Sequence, residues 1–343
     1  MRGIASAGPW VAWDFRSAGR LRRLSYGRAF GPAPEIFPFS AALAVFAPYH
    51  DAVSYRRLVG ALASATLLPI LAAAALAQVS QQDPEWRPRI WVGGGGIGRY
   101  SREPPKWAKL ENFDGSFNFC RAYFTADRFE AGGTGWSTDF PGADNNFSVR
   151  LGELTSVHVR LEKGGQPDYV VVRLTDPLLF HCPILHMEDV GVVRFSDEEV
   201  EDLRAYLVKG GFLIVDDFWG SRAWDQWEYE IGRVLPPHQY PIVEIAPTHP
   251  VMNVLYDVKE VEQVSNIRFW VQTGSTSERG SDSAHVNFRG ISDDKGRLIV
   301  VMAHNTDIPD TWEREGESKE YFDKFSPNGY AVGVNVVLYG LTH

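Results

Sequence analysis

The most informative hydrophobic pattern lies at residues 209–221, KGGFLIVDDFWGS. Residues 212–215 are four consecutive apolar positions, a pattern typical of a strand that is buried on both faces. Two carboxylates, Asp216 and Asp217, follow at once, and a helical pattern begins after Gly220. A buried strand that ends in acids and turns into a helix marks the carboxyl edge of a parallel sheet. In open α/β folds, ligands bind at that edge.

Buried strands and amphipathic helices alternate along the rest of the chain. The clearest helix spans residues 196–209, where Ser196 and Glu199 have the spacing of a capping box. Other apolar runs predict strands at residues 121–125, 157–161, 169–175, 242–245 and 297–303, and helices at residues 146–155, 224–235 and 329–341. This alternation predicts a three-layer α/β domain over residues 113–343, with a mostly parallel sheet and helices on both faces.

Two further stretches are polar enough to be assigned to loops or surface. Residues 178–187 contain two histidines and a cysteine and are interpreted as a loop or a short element. The strongly charged residues 312–320 are interpreted as a solvated face.

Composition and charge exclude several classes of function. The chain has 343 residues, 44% hydrophobic and 22% charged, which is typical of a globular protein with one large or two ordinary domains. The net charge of −9 is uneven: residues 1–77 hold eight Lys/Arg against three Asp/Glu, and the remainder holds 26 against 40. An acidic body argues against binding to nucleic acid, whose phosphates require a basic surface, and it does not favour an anionic membrane surface.

The N-terminal region carries the pattern of an export signal. Arg56 and Arg57 precede the apolar residues 58–77, which end in Ala75-Leu76-Ala77 before Gln78. A basic segment, an apolar segment and an Ala-x-Ala site predict a secretory signal peptide at residues 56–77. The alternative is an anchor helix at residues 58–77, because about 20 apolar residues can span a bilayer.

The segments on either side of this signal are interpreted as non-globular. Residues 1–55 are an extension upstream of the true start, for which Val53 is a candidate, or a disordered tail. Residues 78–112 are a linker rich in Pro and Gly, and their four consecutive glycines lack the Gly-Lys-Ser/Thr of a phosphate loop.

The two cysteines, Cys120 and Cys182, are not part of any Cys/His metal-binding spacing. Two buried free thiols are slightly favoured over a disulfide, because one pair of cysteines is a weak signal. Pairing is the alternative if the protein is exported.

The candidate site consists of polar residues that follow two predicted strands. Asp216 and Asp217 follow one strand, and His304, Asn305 and Asp307 follow the strand at residues 297–303. Because the carboxyl ends of parallel strands share one edge, the two clusters are expected to face each other across a cleft. One of the two neighbouring acids is expected to cap the following helix instead.

Four other residues are weaker candidates for ligand binding. His249 and Asp176 lie in predicted turns: for His249 a rigid turn beside the cleft is favoured over catalysis, and Asp176 is equally a residue that starts a turn. Trp219 and Trp312 flank the acidic clusters and could stack on a sugar ring, although buried packing is the commoner role of Trp.

Five long stretches resemble the family catalogued as domain of unknown function 4159. They are FPGADNNFSVRLGELTSV (140–157), VVRLTDPLLF (171–180), FSDEEVEDLRAYLVKGGFLIVDDFWG (195–220), THPV (248–251) and HNTDIPDTWEREGE (304–317). The resemblance covers nearly all of residues 113–343. It implies a flavodoxin-like sheet of the class I glutamine-amidotransferase-like kind, near the ThuA-like proteins, but it supplies no reaction.

The resemblance also exposes one departure from that superfamily. Amidotransferases place a nucleophilic Cys on the sharp turn after a central strand, whereas Asp216 and Asp217 occupy the corresponding kind of turn here. A carboxylate cannot reproduce thiolate acyl chemistry at neutral pH, so glutaminase or Cys-protease chemistry is not expected.

Three functions from different classes remain open. The favoured hypothesis is an exported, periplasmic binding or scaffold module of the cell envelope, with a polar small molecule or an envelope protein as its partner. The alternative is a hydrolase for a carbohydrate or other polar substrate that uses Asp216, Asp217 and His304. A divalent-metal site formed by Asp216, Asp217 and Asp307 is a weaker possibility. No cofactor is indicated, and the sequence does not decide whether the protein is an enzyme.

Export leads to a first testable prediction. N-terminal sequencing of the protein purified from an expressing bacterium should begin at Gln78, because signal peptidase cleaves after the Ala-x-Ala site. An intact species beginning at Met1 in the cytoplasm would contradict the signal-peptide assignment.

Overall fold

Seven strands form one mixed sheet in the computed structural model, which describes residues 104–130 and 132–343. Its strands are β1 (Phe119–Tyr123), β3 (Tyr169–Arg173), β4 (Ile184–Glu188), β6 (Phe212–Phe218), β7 (Ile242–Glu244), β8 (Asn287–Ser292) and β9 (Leu298–His304). The order across the sheet is β3-β1-β4-β6-β9-β8-β7. The first five of these strands are parallel, and β8 and β7 continue the sheet antiparallel. Two short strands, β2 (Thr125–Ala126) and β5 (Val193–Arg194), pair separately.

The helices cover both faces of the sheet, as predicted. They are α1 (Gly142–Leu154), α2 (Asp197–Val208), α3 (Gly220–Val234), α4 (Ile267–Thr273), α5 (Asp310–Glu313) and α6 (Lys319–Thr342). Helices α2 and α3 pack on one face, and α1 and α6 on the other. Along β6, Phe212 and Leu213 belong to opposite cores, which explains why this strand has an unbroken apolar run.

The parallel strands have the flavodoxin-like order. Numbered along the chain, the five parallel strands lie in the order 2-1-3-4-5, so the strand order reverses between β1 and β4. This confirms the predicted three-layer α/β class and places the carboxyl ends of β1, β4, β6 and β9 on one edge.

The sequence prediction missed two strands of the seven-stranded sheet, β4 and β8. All five residues of β4 are buried at the centre of the sheet, but His186 and Glu188 interrupt the apolar run that would have predicted a strand. Strand β8, which also contains polar residues, pairs antiparallel with β9. The predicted strand at residues 157–161 is reduced to isolated bridges, among them the bridge between Phe117 and Val159.

Helix boundaries differ from prediction mainly at the amino ends. The capping box of α2 is confirmed: the Glu199 N–H donates to Ser196 Oγ (3.2 Å), and the Ser196 N–H donates to Glu199 Oε2 (2.8 Å). Helix α1 begins at Gly142 and α6 at Lys319, both earlier than predicted. The assignment of residues 312–320 to a solvated face is wrong at its start, because Trp312 is only 3% exposed.

The folded domain begins before residue 113, where the sequence predicted its start. Trp107 bridges Val171 of the edge strand β3, and the Ala108 N–H donates to the Val171 carbonyl at 2.9 Å. The predicted extension (1–55) and signal peptide (56–77) lie outside the described residues, as does most of the linker (78–112). Within residues 104–130 and 132–343, none of the helices combines the length and apolar character that crossing a membrane requires.

Cys120 and Cys182 form a disulfide, so the slightly favoured pair of free thiols is wrong. Their Cα atoms lie 6.0 Å apart, and both residues are buried in the core beneath α2. Sequence alone could not show this proximity, because the two residues are 62 positions apart and meet only when β1 and the segment that leads into β4 come together.

We predict that replacing both cysteines by alanine lowers the free energy of unfolding by about 4 kcal/mol, because the bond closes a loop of about 60 residues in the unfolded chain. Urea unfolding with and without dithiothreitol measures this. The reductant should destabilise the natural protein and leave the double variant unchanged. Equal stability of the oxidised and reduced natural protein would contradict the prediction.

Candidate functional site

Several residues at the carboxyl edge of the sheet have positive φ angles, which are uncommon for residues other than glycine. Among the described residues, four that are not glycine have positive φ: Asp139 (55°), Asp189 (51°), Asp217 (51°) and Asn305 (64°). Each lies in the segment that follows β1, β4, β6 or β9, or at that strand's carboxyl end. Asp and Asn tolerate this region better than other residues, yet such conformations cluster at functional sites.

Asp217 owes its conformation to a bulge in β6. Val215 pairs with Met302 and Phe218 with His304, so Asp216 and Asp217 together lie opposite Ala303 of β9. The bulge breaks the simple alternation of side chains. Neither acid caps α3, contrary to expectation: its first N–H groups donate instead to Asn305 Oδ1 and to Asp282 Oδ2.

Asp216 joins the two strand ends from inside. Its Oδ1 accepts the N–H of Asp217 at 2.8 Å and the N–H of Ile308 at 3.0 Å. The side chain is 3% exposed, and burial raises its pKa well above the usual range. Asp216 therefore holds the backbones that carry Asp217 and Asp307 close together.

Three carboxylates converge at this edge: one oxygen from each of Asp139, Asp217 and Asp307 lies within 4.8 Å of the others. Asp217 Oδ1 accepts the indole N–H of Trp219 (2.8 Å), and Asp307 Oδ1 accepts the N–H of Asp310 (2.9 Å). Asp139 Oδ2 is buried and has no hydrogen-bond partner. Asp217 and Asp307, from two strand ends, thus meet as predicted, and Asp139 joins them from the loop before α1.

Asp139 also belongs to a second group of carboxylates, with Asp310 and Glu313. This group has its own counter-charge, because Arg314 Nε lies 3.2 Å from Asp310 Oδ1 and 2.7 Å from Glu313 Oε2. Asp310 Oδ2 in turn accepts the N–H of Ile267 at 2.7 Å. By contrast, no Lys or Arg in the described part of the chain forms an ion pair with Asp139, Asp217 or Asp307.

Burial and mutual repulsion raise the pKa values of the converging acids. Burial and the nearby Asp310 raise the pKa of Asp139 to about 7. Burial and the neighbouring carboxylates raise the pKa values of Asp217 and Asp307 well above their usual range. Since each acid opposes ionisation of the next, a bound cation would relieve the repulsion.

Arg121 of β1 fixes the loop that carries Asp139. The guanidinium is fully buried, donates to the carbonyl of Thr138 (2.8 Å), and forms ion pairs with Asp144 and Glu188. His186 lies beside Glu188, with 3.2 Å between Nδ1 and Oε1. Burial lowers the pKa of His186 well below its usual value.

The predicted histidine, His304, has both ring nitrogens engaged. Nε2 donates to the carbonyl of Gly220 (3.0 Å), and Nδ1 accepts the amide of Asn287 (3.1 Å). Burial lowers the pKa of this imidazole to about 4, so the ring is neutral at pH 7. Asn305 is likewise engaged, because its Oδ1 accepts the Gly220 N–H and its Nδ2 donates to the His285 carbonyl (2.9 Å).

The model of the domain of unknown function DUF4159 matches residues 126–341, well over half of the chain. The chain belongs to the DUF4159 family. No curated protein matches it.

The other predicted residues of the DUF4159 domain have structural partners. Asp176 Oδ1 accepts the N–H of Leu178 (2.8 Å), and His249 Nδ1 accepts the N–H of Val251 (3.1 Å), so each begins a short helical turn. The His249 ring lies near Tyr339, whose hydroxyl accepts the N–H of Leu298 at the opposite end of β9. Trp219 and Trp312 are buried rather than available for stacking.

Sequence reasoning missed Asp139, Asp310 and Glu313 of the DUF4159 domain. Glu313 lies in the charged stretch 312–320 that was assigned to a solvated face, and Asp310 lies just before that stretch. Asp139 lies in a loop between Trp136 and Phe140, and the predicted strand that precedes it ends at residue 125. The proximity of Phe140-Pro141 to a helix start was the only available signal, and it does not indicate a ligand site.

The pKa shifts predict how stability depends on pH. Asp139 and Asp189, both with pKa values raised by burial to about 7, ionise near pH 4 when the chain is unfolded. The folded state therefore binds more protons between these values, and stability falls as pH rises through 7. The buried histidines act in the opposite sense, but only below about pH 6.5.

In EDTA, the free energy of unfolding should fall by about 2 kcal/mol or more between pH 6.5 and 8.5. Urea denaturation at each pH measures this. Asp139→Asn should flatten the profile, whereas Asp294→Asn, an exposed residue, should not. A stability that rises over this interval would contradict the assignment.

Proposed function

We propose that this DUF4159 domain is an exported binding module that takes a hard divalent cation at Asp139, Asp217 and Asp307. The observation that carries the proposal is the convergence of three carboxylate oxygens within 4.8 Å, with no ion pair to a Lys or Arg of the described chain. Asp217 is 7% and Asp307 2% exposed, so water screens their repulsion poorly. A cation at this position would convert that repulsion into attraction.

The chemistry of the donors favours calcium or magnesium. Carboxylate oxygens suit hard cations, and the three acids include no thiolate or imidazole that would select a softer metal. Calcium takes six to eight oxygen ligands and magnesium six. Three carboxylates leave coordination positions for water or for an oxygen of a bound ligand, which is consistent with a role in ligand binding.

The three-carboxylate group is favoured over the one that contains Asp310 and Glu313. In that second group Arg314 already neutralises two acids, and the hydrogen bond from the Ile267 N–H further occupies Asp310. A cation there would have to displace or repel the guanidinium, because like charges at short range are costly.

The hydrolase reading has less support. It requires His304 to exchange a proton with substrate, whereas both of its nitrogens are engaged and its pKa is lowered to about 4. Asp216 is committed to two backbone N–H groups. A binding role does not require His304 or Asp216 to gain or lose a proton.

Export is supported from two directions. Residues 56–77 have the pattern of a signal peptide. The disulfide between Cys120 and Cys182 is of a kind that persists in oxidising compartments and is rare in the cytosol. We therefore propose the cell envelope as the site of action.

Calcium or magnesium chloride at a hundredfold excess over Kd should stabilise the EDTA-treated protein by about 2.7 kcal/mol at pH 8, which is several degrees in melting temperature. Asp217→Asn, which keeps the acceptor for the Trp219 indole, should weaken binding at least about tenfold, or ~1.4 kcal/mol. Asp139→Asn should do the same. Differential scanning fluorimetry and isothermal titration calorimetry measure both.

Two control variants sharpen this experiment. Asp294→Asn removes an exposed carboxylate elsewhere and should leave cation affinity unchanged. Glu313→Gln tests the second group: because Glu313 pairs with Arg314 and contacts only Asp139 of the three ligands, this variant should weaken binding less than Asp217→Asn. If Glu313→Gln abolishes binding and Asp217→Asn does not, the cation occupies the other group. No heat and no thermal shift with either metal would refute the proposal.

A further inference from the structure

A row of aromatic rings lies at the carboxyl ends of β1 and β3, on the same edge of the sheet as the acids. The ring centroids of Trp107 and Tyr123 lie 5.2 Å apart, and those of Tyr123 and Trp136 also lie 5.2 Å apart. Trp107 is 38% exposed, and Tyr123 and Trp136 are half-buried. The row therefore reaches the surface at Trp107.

Arg173, the last residue of β3, lies over two of these rings. Its guanidinium carbon is 4.2 Å from the ring centroid of Trp107 and 4.7 Å from that of Tyr123. Arg173 and Tyr123 are paired residues on neighbouring strands, and Trp107 bridges the same strand at Val171. The sheet thus fixes all three side chains, and stacking on two rings restricts the guanidinium further.

Arg173 differs from the other arginines that stack on rings in the described residues, Arg121 and Arg289, because its guanidinium has no acidic partner. Arg289 lies 4.2 Å over Trp224, but it pairs with Glu244. Lys106 lies 4.7 Å over Tyr169, but it pairs with Glu162 and Asp168. Among residues 104–130 and 132–343, the guanidinium of Arg173 forms neither an ion pair nor a hydrogen bond.

We propose that Arg173, held by Trp107 and Tyr123, is a binding site for an oxyanion group, either a carboxylate or a phosphate. The guanidinium is planar and presents its donors in a fork that matches two oxygens of such a group. Because the rings already restrict the side chain, little conformational entropy is lost when an anion binds. The exposed position of Arg173 leaves the fork accessible.

The surrounding charge makes this site selective. The chain after residue 77 carries 26 basic against 40 acidic residues, so its net negative charge opposes the approach of anions. A fixed guanidinium without a carboxylate is therefore a local exception at the ligand-binding edge. The site does not depend on the proposed cation, since none of its three residues belongs to the acidic group.

The test measures anion binding in the presence of EDTA, so that a cation site plays no part. The full chain is titrated with inorganic phosphate, and separately with acetate, at constant ionic strength set by sodium chloride. Melting temperature reports affinity, and the side-chain Nε–Hε NMR signals of arginine report location. We expect saturable binding of at least one anion in the millimolar range, with the largest shift at Arg173. The stronger of the two anions identifies the group that is recognised.

Arg173→Gln should weaken anion binding at least about tenfold, because it removes both the charge and the fork. The matched control is Arg222→Gln, since Arg222 is exposed and unpaired in the described chain but stacks on no ring. Equal effects of the two substitutions would overturn the proposal. So would a lower melting temperature for Arg173→Gln with anion affinity retained, which would assign Arg173 only to packing Trp107 against the sheet edge. Absence of saturable binding by the natural protein would overturn it as well.

Discussion

A single buried carboxylate oxygen, Asp216 Oδ1, determines how the ends of β6 and β9 meet. It accepts the N–H of Asp217 and the N–H of Ile308, the neighbour of Asp307. An unpaired buried carboxylate costs several kcal/mol, so the two loops are held where they satisfy this oxygen. The bulge that gives Asp217 its positive φ therefore has a partner that stabilises it, and the convergence of Asp217 and Asp307 follows from that arrangement.

A second buried charge, Arg121, holds the opposite side of the same edge. It joins β1 to β4 through Glu188, α1 through Asp144, and the loop before α1 through the Thr138 carbonyl. Removing one partner from such a network is costly, because the others then remain buried and uncompensated. Asp139, the next residue after Thr138, consequently reaches the group formed by Asp217 and Asp307. Two internal polar contacts, from opposite sides, thus build one acidic site.

Burial and mutual repulsion disfavour the ionised forms of the acids at this edge. Their pKa values are raised by burial and by one another, so the folded protein stabilises them better protonated than ionised. A structure that carried these residues for stability alone would gain from replacing them with apolar side chains of similar volume. The proposed binding of a cation would offset this cost, which would relate the strained backbone and the raised pKa values to the proposed function.

The sequence by itself determined the α/β class, the buried strands at β3, β6 and β9, the capping box of α2, and the edge at which Asp217 and Asp307 meet. These depend on local signals: apolar runs, N-cap spacing and the common direction of parallel strands. Only the tertiary structure decided the rest. Strand β4 carries His186 and Glu188 because Arg121 neutralises Glu188 from another strand, so its polar residues hid it from a pattern search. Likewise, the disulfide, the contribution of Asp139 and the capping of α3 by Asn305 each join residues more than 60 positions apart. Such contacts depend on how the strands are ordered across the sheet, and hydrophobic periodicity along the chain carries no information about that order.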